Sequence, residues 1–168
     1  MNSSFSTVRK ILLYLLLVNI GFYAGMVFFH EMAPVETKMS AIEYVKYWKI
    51  ADGEFMHNKM SIYGPVLMGL FVLTILIHIK KWKTLFFLFL GLSFLLFVLE
   101  VIYITTQQMP INEFIRNVDI AQLTDNDILK IEQMQAKSIG NFHVRFVFST
   151  LSFALLSITP FLCNEHRD

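Results

Sequence analysis

Four stretches of this chain are apolar over the length a helix needs to cross a bilayer, and no other feature restricts the fold as much. They run from Ile11 to Phe29, Ser61 to Ile79, Thr84 to Thr106 and Phe142 to Cys163. Each has about the twenty residues that span a hydrocarbon core. A soluble bundle would carry charges along an outer face of each helix. These runs mostly lack such a face: 55% of the 168 residues are apolar and 16% charged. The sequence therefore predicts an all-α transmembrane four-helix bundle with an up-down-up-down path. It would form a single membrane domain over 1–168, with spans at about 10–30, 61–80, 84–106 and 142–163. A cleaved signal peptide is the alternative for the first run. Its apolar part is too long for one, and a cut after Ala33 would put Glu31 and Pro34 in unfavourable places.

Charge sets the orientation. Arg9, Lys10, Lys80, Lys81, Lys83 and Arg167 cluster on short segments at one end, whereas acids balance bases in the two longer connections. The positive-inside rule places both termini in the cytoplasm of a multi-pass cell-membrane protein. The single cysteine, Cys163, cannot form an internal disulfide and excludes a CxxC oxidoreductase.

Both outer connections carry helix signals. Ser40 and Glu43 have capping-box spacing, and Ile42, Val45 and Trp48 or Lys49 then recur at helical intervals. Tyr44, Tyr47 and Trp48 are residue types found at membrane surfaces. This segment is expected to lie on the outer leaflet and to end at Gly53. In the second connection, Pro110 should stop the third span. Thr124 should then cap a short helix with Ile128, Ile131 and Met134 or Gln135 on one face.

Polar residues within the spans should face protein rather than lipid. Asn19, Tyr23, Met26 and His30 share one face of the first helix. Ser93, Phe97, Glu100, Tyr103 and Gln107 share one of the third, and Arg145, Ser149 and Ser152 one of the fourth. The second helix offers only Tyr63 and, near its inner end, Thr74 and His78. At about 1.5 Å per residue, Glu100 lies roughly 9 Å below Thr106, and Arg145 roughly 6 Å below Asn141. Opposite charges at matching depth are expected to pair, with Tyr23 and Tyr103 near. Such a pair could serve only to fix helix register. His30 and His143 at a similar level, and Asn112 folded over the mouth, point instead to a pocket. Gly21 and Gly25 allow either close helix packing or room for a ligand.

Glu100 or His143 would be the general base of such a pocket, with Arg145 and Tyr103 stabilising an anionic oxygen. His30, Tyr23, Tyr103 and Asn112 would bind substrate. His30, His143 and Glu100 are acceptable ligand types for zinc or iron. However, a di-iron bundle needs two Glu-x-x-His motifs and two further glutamates. The only copy, Glu54 to His57, falls in a connection, which argues against a di-iron site; a one-metal or haem site is the remaining alternative to the expectation of no metal and no cofactor. His78 and His166 read as ordinary interfacial residues. No Ser-His-Asp spacing, phosphate loop or nucleic-acid patch is present.

Four segments together carry a family resemblance: "NIGFYAGMVFFHEMAP", "YWKIADGEFMHNKMSIYGP", "EVIYITTQQMPINEF" and "NFHVRFVFSTLSF". The chain resembles the anthrone-oxygenase-like family of small four-helix membrane proteins along nearly its whole length. The resemblance implies oxidation of a hydrophobic aromatic substrate by oxygen without a bound cofactor. It also implies roles for Asn112 and Arg145, and for Glu100, which matches an acid found in some members. Members often place a His or Asn three residues before the arginine; here that residue is Phe142, flanked by Asn141 and His143. The competing expectation is a non-catalytic protein that binds a lipid, a small molecule or a membrane-protein partner. Four helices without a broken pair do not suit a transporter.

Overall fold

The computed structural model describes residues 3–162, with the side chains of 3–6 and 54–58 set aside. Cys163, His166 and Arg167 lie outside the described residues, as do the side chains of the Glu54–His57 motif. The described residues are helical, with no strand among them. Four helical stretches are long and apolar enough to cross a membrane: Thr7–Lys38, Lys59–Ile77, Leu85–Asn117 and Asp125–Leu162.

The α-helices are α1 (Ser3–Met32), α2 (Ala41–Trp48), α3 (His57–Ile77), α4 (Leu85–Tyr103), α5 (Met109–Asn117) and α6 (Asp125–Leu162). Their starts follow local chemistry. The Ser40 hydroxyl accepts the Glu43 amide while the Ser40 amide donates to the Glu43 carboxylate, at 3.4 and 2.8 Å. Thr124 and Asp127 make the same reciprocal pair at α6, at 3.0 and 3.3 Å. The Thr84 hydroxyl caps α4 through the Phe87 amide. Each cap is worth about 1 kcal/mol.

Three expected breaks are absent. Gly53 does not end the second helical segment: a π-helical stretch, Lys49–Met56, joins α2 to α3. A terminating glycine needs a left-handed backbone, and no described glycine has positive φ. Pro110 does not stop the third span either. A π-helical turn, Ile104–Gln108, precedes it, and the Met109 amide reaches back to the Ile104 carbonyl. Pro110 then falls in the first turn of α5, where its missing N–H costs little. Finally, the short helix capped by Thr124 and the fourth span are one helix. At 38 residues α6 is about 57 Å long, nearly twice the thickness of a bilayer core of about 30 Å.

Two cores result. The inner one takes Leu13, Leu16, Ile20, Tyr23 and Val27 from α1, at helical spacing, with Phe71, Leu90, Phe97 and Leu156 from the other spans. Lipid tails are as apolar as these side chains, so packing and polar contacts must hold the helices together. Between α4 and α6 a serine pair does this. Ser93 donates to the Ser152 carbonyl at 2.8 Å, and Ser152 donates to the Ser93 carbonyl at 2.9 Å. The inner end of α1 is tied to that of α3 by Arg9, whose Nε donates to the Ile77 carbonyl.

The outer core takes up the apolar face of α2. Ala41, Tyr44, Val45 and Trp48 form its buried face, packed against Ile111 and Ile115 of α5 and Ile131 and Phe142 of α6. Tyr44 and Trp48 are interior residues, because the long α6 supplies a protein surface for them to cover. Burial pushes the Tyr44 hydroxyl up to about 12, the Ser138 hydroxyl pulling the other way.

Candidate functional site

The site is built from the polar faces of α1, α4 and α6. Seven residues along α4 from Ser93 lies Glu100. Seven residues back along α6 from Ser152 lies Arg145. The serine contact therefore sets an antiparallel register that brings the two charges to one level, and Arg145 Nε lies 3.6 Å from Glu100 Oε1. From α1 the Tyr23 hydroxyl donates to the same Oε1 at 2.7 Å. Glu100 is wholly buried, Tyr23 8% exposed and Arg145 9% exposed. The other carboxylate oxygen, Oε2, and Arg145 Nε have no hydrogen-bond partner. A buried charge pair of this kind holds together only because each ion is the other's counter-charge.

A column of rings continues outward. The Arg145 guanidinium lies 5.0 Å from the centre of the Phe142 ring. His30 stacks on Phe142 at 4.6 Å, with Trp48 nearly parallel to both. His30 Nδ1 is 3.2 Å from Glu36 Oε1, and both residues are buried. His30 is thus separated from Glu100 by the ring column.

A second polar network occupies the outer core. The Tyr103 hydroxyl donates to Asn141 at 2.8 Å, and Asn141 donates to Gln108 at 3.1 Å. Gln108 in turn donates to Asn112 at 2.8 Å and to Ser138 at 2.9 Å. Asn112 donates to Asp52 at 3.1 Å, and Asp52 is paired with Arg116 at 3.1 Å. Asn112 therefore clamps α5 to the segment after α2. Each amide here has complementary partners, the condition under which buried polar networks rigidify rather than destabilise.

Of the residues singled out in sequence, Tyr23, Glu100 and Arg145 meet directly. Tyr103 and Asn112 belong to the outer network. His143 joins neither group: its side chain is 66% exposed and contacts Glu31 at 2.8 Å. It follows Phe142 by one position, and one residue along a helix turns a side chain about 100° away from the buried stripe. Among the described residues no group of three or more His, Cys, Asp or Glu is placed to hold a metal ion.

Asp52, Gln108, Ser138 and the Glu36–His30 pair do not emerge from sequence. The α6 stripe in fact runs unbroken through Ile131, Gln135, Ser138, Phe142, Arg145, Ser149, Ser152, Leu156 and Thr159. That phase was available to find Ser138. Gln108 takes the place expected for Gln107 because the π-helical turn inserts one residue into the α4 stripe.

A groove of about 300 Å³ runs between α1 and α3, lined by Asn19, Phe22, Tyr23, Met26, Met60 and Tyr63; Tyr23 is its link to the ion pair. Tyr63 donates to the Asn19 carbonyl at 2.8 Å and fixes one edge. A Cβ added to Gly21 would sit 3.2 Å from the Phe153 ring, whereas one added to Gly25 would meet nothing within 4 Å. Gly21 therefore permits close approach to α6, and Gly25 leaves open space.

Fold and site together define an all-helical protein with four membrane-length helices and an ion pair buried among them. No family model, curated protein or solved structure matches the chain.

Proposed function

We propose that this is a four-helix, up-down-up-down protein of the cell membrane, with both termini cytoplasmic, that binds an apolar small molecule from the bilayer. The molecule enters the groove between α1 and α3 and addresses a polar group to the Tyr23–Glu100–Arg145 cluster. The observation that carries this reading is the double position of Tyr23: it lines the groove and bonds the buried carboxylate. The basic residues Arg9, Lys10, Lys80, Lys81 and Lys83 at one end support the orientation. Mass spectrometry of protein purified in mild detergent tests the binding. A retained apolar molecule is expected, and Met26→Trp, which fills the groove, should abolish its retention. A wild-type protein that retains nothing overturns the reading.

A catalytic form follows from the unpartnered Glu100 Oε2. In it the chain acts as an anthrone-oxygenase-like protein. Glu100 takes a proton from the CH2 of an anthrone and Arg145 holds the resulting anion; the anion adds O2 to form a hydroperoxide, whose O–O bond breaks with loss of water to leave the quinone carbonyl. His143 has no part in it. Oxygen uptake with an anthrone, lost in Glu100→Gln, is the expected result; no uptake by the wild type leaves binding alone.

A further inference from the structure

The seam between α1 and α6 opens toward the end of the bundle where α1 begins. A Cβ added to Gly21 would sit 3.2 Å from the Phe153 ring, so the two helices are in close contact there. Beyond that contact lies an open groove of about 530 Å³, lined by Tyr14 and Leu17 of α1 and by Ser157, Pro160 and Phe161 of α6. The polar groups of the α6 wall are satisfied within the helix. Ser157 donates to the Ala154 carbonyl at 2.8 Å. Pro160 has no N–H for the Leu156 carbonyl, and the Thr159 hydroxyl donates there instead, at 2.7 Å.

Lys10 precedes Tyr14 by four residues and Leu17 by seven, which places all three on one face of α1. Lys10 is exposed, and a helical side chain leans toward the start of its helix, so its ammonium stands at the open mouth of the groove. Arg9, the neighbouring cation, reaches instead to the Ile77 carbonyl of α3. From Lys10 to Gly21 the helix rises roughly 16 Å, close to half of a hydrocarbon core of about 30 Å, the depth of one leaflet. Among the described residues this end of the bundle carries Arg9, Lys10, Lys80, Lys81 and Lys83 and no acid.

We propose that the α1–α6 groove is a site for an anionic phospholipid, one acyl chain lying along Tyr14, Leu17, Pro160 and Phe161 and the phosphate meeting Lys10. Charge complementarity selects this occupant. The basic end attracts anionic headgroups, whereas a second copy in the same membrane orientation would bring like charges to the contact. The site is separate from the groove between α1 and α3 and does not depend on a ligand there.

Native mass spectrometry of the full chain in a non-ionic detergent tests this with two lipids that share their acyl chains, dioleoylphosphatidylglycerol and dioleoylphosphatidylcholine. The first should bind at least about fivefold tighter, the factor that one lysine gives near an anionic headgroup. Lys10→Gln, at an exposed position, should reduce that preference to less than about twofold, whereas Lys83→Gln, in the turn between α3 and α4, should leave it above about threefold. Ser157→Trp, which fills the groove, should weaken both lipids; if that variant does not fold, the lysine series decides alone. Equal binding of the two lipids by the wild type overturns the proposal. So does a preference that survives Lys10→Gln, or one lost in Lys83→Gln instead, which puts the headgroup at the turn. A lipid-free dimer that Ser157→Trp disrupts overturns it in favour of a second copy.

Discussion

Replacing Arg145 with Met strands the Glu100 carboxylate in a wholly buried position. At 3.6 Å, and with the effective dielectric of about 20 suited to protein sites, the attraction between the two charges is roughly 4.6 kcal/mol. Removing one partner of a buried pair costs about 3–5 kcal/mol, because the remaining ion is uncompensated. Glu100→Gln should cost less, since an amide oxygen still accepts from Tyr23. The double variant should be more stable than the sum of the single losses implies, with a coupling of about 2–4 kcal/mol, as neither ion is left alone. Unfolding in mixed micelles, followed by far-ultraviolet circular dichroism, measures all four corners of the cycle. A coupling within about 0.5 kcal/mol of zero would refute the pairing.

Tyr23→Phe removes one neutral donor and should cost only about 0.6–1.7 kcal/mol in the same assay, the range for hydrogen bonds between membrane helices. Gln108→Leu breaks bonds to Asn112, Ser138 and Asn141 at once. It should lower stability by about 1–3 kcal/mol per polar group left unmet and loosen α5, seen as faster amide exchange there. The Ser40 bonds hold the Glu43 carboxyl below the usual carboxylate range. A lowered folded value means that its contribution is present above the unfolded value and lost as pH falls through the folded one. The stability difference between wild type and Glu43→Gln should therefore shrink on acidification; a difference independent of pH would exclude the capping role.

The apolar runs and their polar stripes were legible because lipid imposes one rule on every side chain: polar groups must find protein. That rule placed Glu100 and Arg145 on facing helices at one depth, and it identified Tyr23. It failed outside the four apolar runs. There, Tyr44 and Trp48 read as surface anchors because nothing in their own segment reveals that α6 continues past Asn141 to bury them. Pro110 and Gly53 read as breaks because local propensity takes no account of π-helical turns, which accommodate both. The one-residue shift from Gln107 to Gln108 has the same origin. His143 was chosen for its chemistry and its depth, but its angular position on α6 places it on the other face.

The central claim is that the polar faces of α4 and α6 meet inside the protein, in the register that pairs Glu100 with Arg145. Ser93 and Ser152 report that register directly, since their hydroxyl oxygens are 3.1 Å apart. Cysteines there would put two thiols where these hydroxyls now touch. With Cys163 replaced by Ala, Ser93→Cys/Ser152→Cys should cross-link in membranes under mild oxidation. Leu92→Cys/Leu151→Cys, on exposed faces, should not. A cross-link confined to the leucine positions, or none at the serine pair, would contradict the register on which the site depends.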